Sequence, residues 1–536
     1  MPRIPATNAG FFNADALLAL QFTPQAIHNF PELTPKKEIP AKMSDPIDNT
    51  DTSPGKFPTL EELISAVSPG QDWEEEYAYS LGIEAYIWGF PWIYLSQLAW
   101  LWTSPGGKAV ADITGHMGPW APMNTFWRAP QVAAPGNHST GGSPNADTLY
   151  SVAWLDLSEE PLVLSVPAVA DRFYAIQMAC IDSDNFAYVG TVATGTQANN
   201  YLIAGPGWLG QSPADVLDVL QKSRTPVAFV LGRTEVFSQD DVPAAVAIQN
   251  NYTLTPLSRW VDKNLPPSPP PHAMVPAGFN YNNTRGAWLT MNRAMTYNPP
   301  GVPPGIEQRS LIDLFATIGI GPGRRLVRQS AATLRGLQKA ATDGLALLKK
   351  MGVGRGKTVN GWTYPPLDTG RAGQVGDYIT RSAVQALGGI VANDPIESVY
   401  LNAFSDSNGN PLGAGSYSIT FPNDGSLPPV ISQYFGFWSI TLYDTATYDF
   451  VAGTTNYTVN SHDPQYQTQR PEGGIQILLQ PDEPQLSQGV YWLQTPTQQQ
   501  GSAANSFYLI LRVYAPAPQV SGSQTWPPPP IQFLGN

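Results

Sequence analysis

Carboxylates gather at two places in the chain. Asp182 and Asp184 stand two residues apart at the end of "DRFYAIQMACIDSDNF", and Asp147 lies in "PNADTLY". Carboxyl groups this close raise one another's pKa, which lets one act as acid and the other as base, or they hold a hard cation such as Ca²⁺ or Mg²⁺. Asn145, Tyr150, Arg172 and Tyr174 surround them in sequence. On a strand Arg172 and Tyr174 share a face, as do Tyr150, Val152 and Trp154. If the two faces adjoin, an arginine among aromatics near Asp147 suits a carboxylate or a hydroxylated ring, bound by planar donors and stacking. The plainer reading is an Asp–Arg pair that serves the fold, with polar residues capping a strand.

A second set lies near the C-terminus. Tyr508, Ile510, Arg512 and Tyr514 fall on one face of a strand, and Trp438 and Asp444 share a parity in another. An arginine flanked by tyrosines is either a buried cation stacked for packing or a ligand anchor. No Gly-x-Ser-x-Gly elbow, phosphate loop or His-Glu-x-x-His helix is present, and "GIGPGRR" lacks the lysine and hydroxyl of a phosphate loop. The five histidines are scattered, with His116 and His138 able to meet only through loops. Cys180 is the single cysteine, so an intramolecular disulfide is excluded, and its place inside a strand marks it as a small buried hydrophobe.

The elements that must position these residues read as mainly β. The chain has 536 residues, enough for more than one core, with 13% charged residues and 53 prolines, a loop-rich composition. A net charge of −13 argues against nucleic-acid binding. The opening "MPRIPATNAGFFNADALLALQF" is too polar for a signal peptide, so an intracellular, cytoplasmic protein is expected, and the four Asn-x-Ser/Thr sequons at Asn137, Asn251, Asn282 and Asn456 are no more than such a composition produces by chance. The uncharged run Ala85–Trp102 reaches the length of a membrane span, but its tryptophans, Gln97 and Pro91 favour a buried aromatic helix kinked at Pro91.

Five stretches follow: an extended Pro-rich leader over 1–70; a helix and a first β unit over 71–263; a Pro-rich connection over 264–308; a helical insert over 309–404; and a second β unit over 405–536. Period-two segments such as "YSVAWLDLSEEPLVLSVP", "DRFYAIQMACID" and "TPVAFVLGRTEV" predict a sandwich or barrel. The basic helix near 324–350 is either a solvated face or a dock for an acidic part of the chain.

The two β units resemble each other. "RFYAIQMACIDSDNFAYVG" lies over "GFWSITLYDTATYDFVAG", matching Phe173 with Phe437, Tyr174 with Trp438 and Ile176 with Ile440. Tyr150-Ser151 is matched with Tyr417-Ser418, and Arg233 with Arg512; a duplicated arginine points to a role the fold itself needs.

The segments "EAYIWGFPWIY", "PNADTLYSVAWLDLSEEPLVLSVP", "NGW", "YSITFP", "FWSITLYD" and "FYLILRVYAP" resemble a family that pairs two domains of unknown function, numbered 1254 and 1214. The resemblance covers about residues 72–520 and departs at "YWLQTP", where that family commonly has Asn-Trp-Leu-Pro. It implies tandem jelly-roll-like β-sandwich units with added helices, and no reaction.

Taken together the residues suggest a binding or assembly protein, probed by a polar small molecule or saccharide on aromatic-lined faces at Asn145, Tyr150, Arg172, Tyr174, Trp438 and Arg512, without a membrane span and as a homo-oligomer. The alternative is a hydrolase-like enzyme using Asp147, Asp182 or Asp184, with or without a divalent metal.

Overall fold

Alternation of apolar and polar residues folds each β unit into two sheets that close on one another. The computed structural model describes residues 73–108, 118–136, 142–219, 221–277, 283–301, 308–352, 354–422, 426–462, 474–487, 489–497 and 506–535. All belong to one compact unit, Asp72–Asn536. The expected leader over 1–70, the sequons at Asn137 and Asn282, and His116 and His138 lie outside the described residues.

The first sandwich contains β1 (Trp127–Arg128), β2 (Thr148–Asp156), β3 (Leu162–Val166), β4 (Tyr174–Cys180), β5 (Asn185–Gly190), β6 (Asn199–Ile203), β7 (Leu217–Asp218), β8 (Val227–Glu235) and β9 (Thr253–Pro256). The second contains β10 (Thr358–Val359), β11 (Trp362–Thr363), β12 (Ser398–Ala403), β13 (Ser416–Phe421), β14 (Trp438–Asp444), β15 (Thr458–Asn460), β16 (Ile475–Gln480), β17 (Val490–Gln494), β18 (Phe507–Tyr514) and β19 (Ile531–Gly535). Their strand orders correspond. The larger sheets run β1-β2-β8-β4-β5 and β10-β11-β12-β18-β14-β15, and the smaller sheets β7-β6-β3-β9 and β17-β16-β13-β19. Even the parallel pairs recur, β6 with β7 and β16 with β17, while the other strand pairs are antiparallel.

Inward residues of each sheet pair form a core. Ala153, Leu155, Tyr174, Ile176, Met178 and Cys180 fill the first sandwich, and Val399, Leu401, Trp438, Ile440, Leu509 and Leu511 the second. The outer face of the first large sheet has two halves. Val152, Trp154, Phe229 and Leu231 are apolar and lie under helices. Tyr150, Gln177 and Arg233 share that face and meet the second sandwich instead.

Three helices cover the apolar half: Trp73–Thr103, Thr284–Tyr297 and Ala331–Met351. The first is the expected aromatic helix, buried almost throughout its second half. Among the described residues no helix is long and apolar enough to cross a membrane. Thr284–Tyr297 falls within the stretch expected to be a Pro-rich connection. Asn283 caps it through Gly286 N, and Trp288, Met291 and Met295 recur at helical spacing on its buried side. Helix Ala331–Met351 packs on the aromatic helix by small residues: a Cβ on Gly336 would stand 2.3 Å from the Glu75 carbonyl oxygen. Its arginine does dock on an acidic segment, with Arg335 2.6 Å from Glu75, but both partners are largely exposed and the apolar contact dominates. The second sandwich also takes β10 to β12 from the stretch expected to be helical insert.

The helix Trp73–Thr103 continues through Pro91 instead of ending there. A proline has no amide hydrogen for the carbonyl four residues back, so Ile87 loses its helical donor. The π-helix Thr380–Gly388 supplies a replacement: the Ser382 hydroxyl donates to the Ile87 carbonyl at 2.5 Å, and Arg381 Nη2 donates to the adjacent Trp88 carbonyl. Ser382→Ala therefore strips a buried carbonyl of its only substitute and should destabilise the protein by about 1–3 kcal/mol. In a Pro91→Ala background, where an amide is restored, chemical denaturation should give a markedly smaller loss for the same serine change.

Candidate functional site

Cross-strand register places one tyrosine and one arginine side by side in each sandwich. Tyr150 on β2 is directly opposite Arg233 on β8, which in turn faces Ala175 on β4. Tyr400 on β12 is directly opposite Arg512 on β18, which faces Ser439 on β14. Opposed residues project from the same side of a sheet, so both pairs lie on the outer faces. The third strands repeat the relation, because Arg233 Nη1 donates to Gln177 Oε1 at 2.8 Å and Arg512 Nη1 to the Thr441 hydroxyl at 3.2 Å. Phe173 and Phe437 occupy matching places and touch, with ring centroids 6.0 Å apart.

These faces meet in a polar seam. Asn145 Nδ2 donates to the Tyr514 hydroxyl at 2.5 Å, Tyr443 donates to the Pro144 carbonyl at 2.6 Å, and Arg512 Nη2 donates to the Ser143 carbonyl at 2.9 Å. Asn460 Nδ2 reaches Asp147 Oδ1 at 3.2 Å, and His462 Nε2 lies 2.5 Å from Glu235 Oε1. Arg233 Nη1 also donates to Asn393 Oδ1 at 3.1 Å, while Asn393 Nδ2 contacts the Tyr400 hydroxyl at 3.4 Å. Tyr400 and Tyr514 share a hydrogen bond of 3.2 Å, and the Arg512 guanidinium carbon is 5.2 Å from the Tyr400 ring centre.

The charge balance of the seam is unusual. Arg233 and Arg512 are 5% and 2% exposed. Among the described residues neither meets a carboxylate, and the Nε–H of each has no partner. Arg172 is neutralised at contact distance by Asp171 and Asp241, Arg224 by Asp182 and Arg371 by Asp394, whereas the buried Arg381 of the π-helix, like the seam pair, meets no carboxylate at contact distance among the described residues. Burial pushes the Glu397 carboxyl up to about 8, with Asp394 adding to the rise and Arg233 opposing it. Burial raises Asp147 as well, against Ser439 and Arg512. For Tyr400 burial works upward too, yet Arg233 and Arg512 together hold its hydroxyl below the usual phenol range. Tyr150 and Tyr400 remain only partly buried, so the seam is not sealed.

The residues singled out in the sequence divide among several places. Asn145, Asp147, Tyr150 and Arg512 come together here. Arg172 does not join them: it precedes β4 and is clamped by Asp171 and Asp241, with Phe237 stacked 4.6 Å from its guanidinium. Tyr174 points into the first core, stacked on Tyr252, and Trp438 into the second, so neither lines a ligand face. Parity told which residues share a face but not which face is inward. Tyr417 on β13 is not the counterpart of Tyr150. The strand beside Arg512 is β12, and the matching residue is Tyr400.

Asp182 and Asp184 form a separate buried group. Arg224 Nη2 contacts Asp182 at 3.0 Å and Asp184 at 3.4 Å, and Asp184 Oδ1 also accepts from Gly373 N and Gln385 Nε2. Burial, then the neighbouring Asp182, pushes Asp184 up to about 6. A guanidinium thus occupies the side from which a cation would approach. Among the described residues no group of three or more His, Cys, Asp or Glu is arranged to hold a metal ion. Of the three candidate carboxylates, Asp182 and Asp184 share this buried group and Asp147 lies in the seam.

Sequence reasoning missed Tyr400, Glu397, Gln177 and Asn393. A signal for the first two was present: "DTLY" at 147–150 and "ESVY" at 397–400 both read acid, hydroxyl, aliphatic, tyrosine.

Family models match the chain at two stretches, a protein of unknown function (DUF1254) at residues 123–256 and a protein of unknown function (DUF1214) at 397–518. The chain belongs to the family that pairs these two domains. The DUF1254 stretch contains Tyr150 and Arg233, and the DUF1214 stretch begins at Glu397 and contains Tyr400 and Arg512, so each domain brings one Tyr–Arg pair to the seam. No curated protein matches. The VPA0106 protein from Vibrio parahaemolyticus has a similar crystal structure, with a TM-score of 0.60 at 17% identity, covering 85% of this chain and 100% of that one. An uncharacterised protein from Burkholderia cenocepacia is more distant, with a TM-score of 0.38 at 11% identity, covering 86% and 94%. The former likeness concerns the fold of the paired DUF1254 and DUF1214 domains, and the latter is too remote to carry an argument.

Asp182→Asn leaves Arg224 buried with less countercharge and should cost about 3 kcal/mol in denaturant unfolding. Glu397 gives a pH signature. Its folded pKa of about 8 exceeds the ordinary 4.5, so its contribution to stability is full below the ordinary value and is lost as pH rises through about 8. The melting temperature should fall between pH 6 and pH 9, and Glu397→Gln should flatten that fall.

Proposed function

We propose that the protein binds a polar small molecule carrying an acidic group, such as a carboxylic acid or an acidic saccharide, in the seam between its two sandwiches. One observation carries this: two buried guanidiniums, each with an unpaired Nε–H and neither with a carboxylate in contact among the described residues. A buried charge without a counterion is costly, and this chain supplies carboxylates to Arg172 and Arg224. A ligand carboxylate provides the direct contact that these two guanidiniums lack, because the guanidinium fork donates paired hydrogen bonds to it. Tyr150, Tyr400 and Tyr514 add hydroxyls and ring faces suited to a hydroxylated ligand. Asp182 and Asp184, already held by Arg224, do not support a hydrolytic role.

Thermal-shift titration tests the proposal directly. At constant ionic strength, acetate, benzoate and glucuronate should raise the melting temperature, and glucose should not. Arg512→Gln should remove the response while Arg335→Gln, on the exposed helix surface, keeps it. Equal shifts from glucose and glucuronate, or none from any acid, would exclude an anion site.

A further inference from the structure

The seam contains the same arrangement twice. In one half Asp147-Thr148-Leu149-Tyr150 runs along β2 with Arg233 opposite the tyrosine; in the other Glu397-Ser398-Val399-Tyr400 enters β12 with Arg512 opposite. Each arginine spends one Nη1 hydrogen bond on the third strand, at a residue two places beyond its direct partner, Gln177 beyond Ala175 and Thr441 beyond Ser439. Each leaves its Nε–H without a partner among the described residues. The equivalence therefore extends to the donors left open, although an open Nε–H occurs at Arg224 and Arg381 as well; what sets this pair apart is that the two lie on matching strands and face the same phenols.

The two halves also share one space. Both guanidiniums lie within electrostatic reach of the same three phenols, Tyr150, Tyr400 and Tyr514. Asn393 bridges from Arg233 to the Tyr400 hydroxyl, and the Tyr400 ring lies beneath Arg512. A single monoanion would pair directly with one cation and leave its twin without a carboxylate in contact.

Resting on the anion-binding reading above, we infer that the seam takes a ligand with two acidic groups, a short dicarboxylic acid, one carboxylate to Arg233 and the other to Arg512. Tyr150 and whichever of Tyr400 and Tyr514 keeps its proton from their mutual bond would donate to the carboxylate oxygens or to a hydroxyl on the connecting chain. Burial pushes the Glu397 carboxyl up to about 8, which weakens it as a countercharge for Arg233 near neutral pH.

Isothermal titration calorimetry at pH 7 and fixed ionic strength separates the possibilities, with propionate as the monoacid and malonate, succinate and glutarate as diacids. The wild type should bind its best diacid at least about tenfold more tightly than propionate. Arg233→Gln and Arg512→Gln should each bring the diacid to the affinity of propionate, with little change for propionate in at least one of the two. Diacid and monoacid binding equally would overturn the paired site and leave the anion-binding reading intact. Failure of every acid to bind would overturn both. If a glutamine variant does not fold, the wild-type ratio still decides, and Arg233→Lys or Arg512→Lys, which keeps charge without the planar fork, should narrow it.

Discussion

When two polar sheet faces are buried against each other, every donor and acceptor on them must find a partner across the junction or within it. The two sandwiches of this protein meet under that constraint. Most of the seam satisfies it by crossing bonds, from Asn145 to Tyr514, Tyr443 to Pro144, Asn460 to Asp147 and His462 to Glu235. Open groups remain beside these crossing bonds, the Nε–H of Arg233 and Arg512 and one carboxyl oxygen each of Asp147 and Glu397, and they give the centre of the seam its chemical character.

The helices serve the same geometry from the other side. By covering Trp154 and Phe229 they occupy the apolar half of the first large sheet, which leaves the half bearing Tyr150 and Arg233 for the second sandwich. The aromatic helix can do this with a proline in its middle because the π-helix donates to the Ile87 carbonyl that Pro91 leaves open, and to the adjacent Trp88 carbonyl. The same π-helix carries Arg381, whose guanidinium lies 5.3 Å from the Trp92 ring centre and 4.7 Å from that of Tyr378. Helix cover and polar seam are therefore two consequences of one divided sheet face.

Much of this fold was legible in the chain. Period-two patterning located β2, β4 and β8, and the match of 173–178 with 437–442 corresponds to the positions that face Arg233 and Arg512 in register. Legibility ended where long-range pairing takes over. Alternation cannot say which side of β4 or β14 is interior, so the pattern offers Tyr174 and Trp438 for a ligand face although they fill the cores. The role of Asp182 depended on Arg224, which no local pattern ties to it. The Tyr-Ser pair matches Tyr150 with Tyr417, and only the strand order shows that Tyr400 is the residue beside Arg512. The helix Thr284–Tyr297 was hidden by the prolines on either side of it, although Asn283 and the Trp288, Met291, Met295 spacing were visible.

The divided face also bears on how the protein is made. Synthesis completes the first sandwich at Pro256, but the strand bearing Arg512 and Tyr514 arrives some 250 residues later, roughly tens of seconds at ordinary ribosomal rates. Throughout that interval the aromatic helix, translated earlier, is already available to cover Trp154 and Phe229. The part left waiting carries Tyr150, Gln177 and Arg233, side chains that water solvates well, together with the apolar ring of Phe173. A nascent chain can hold such a surface open without offering a sticky apolar patch to its neighbours on the polysome.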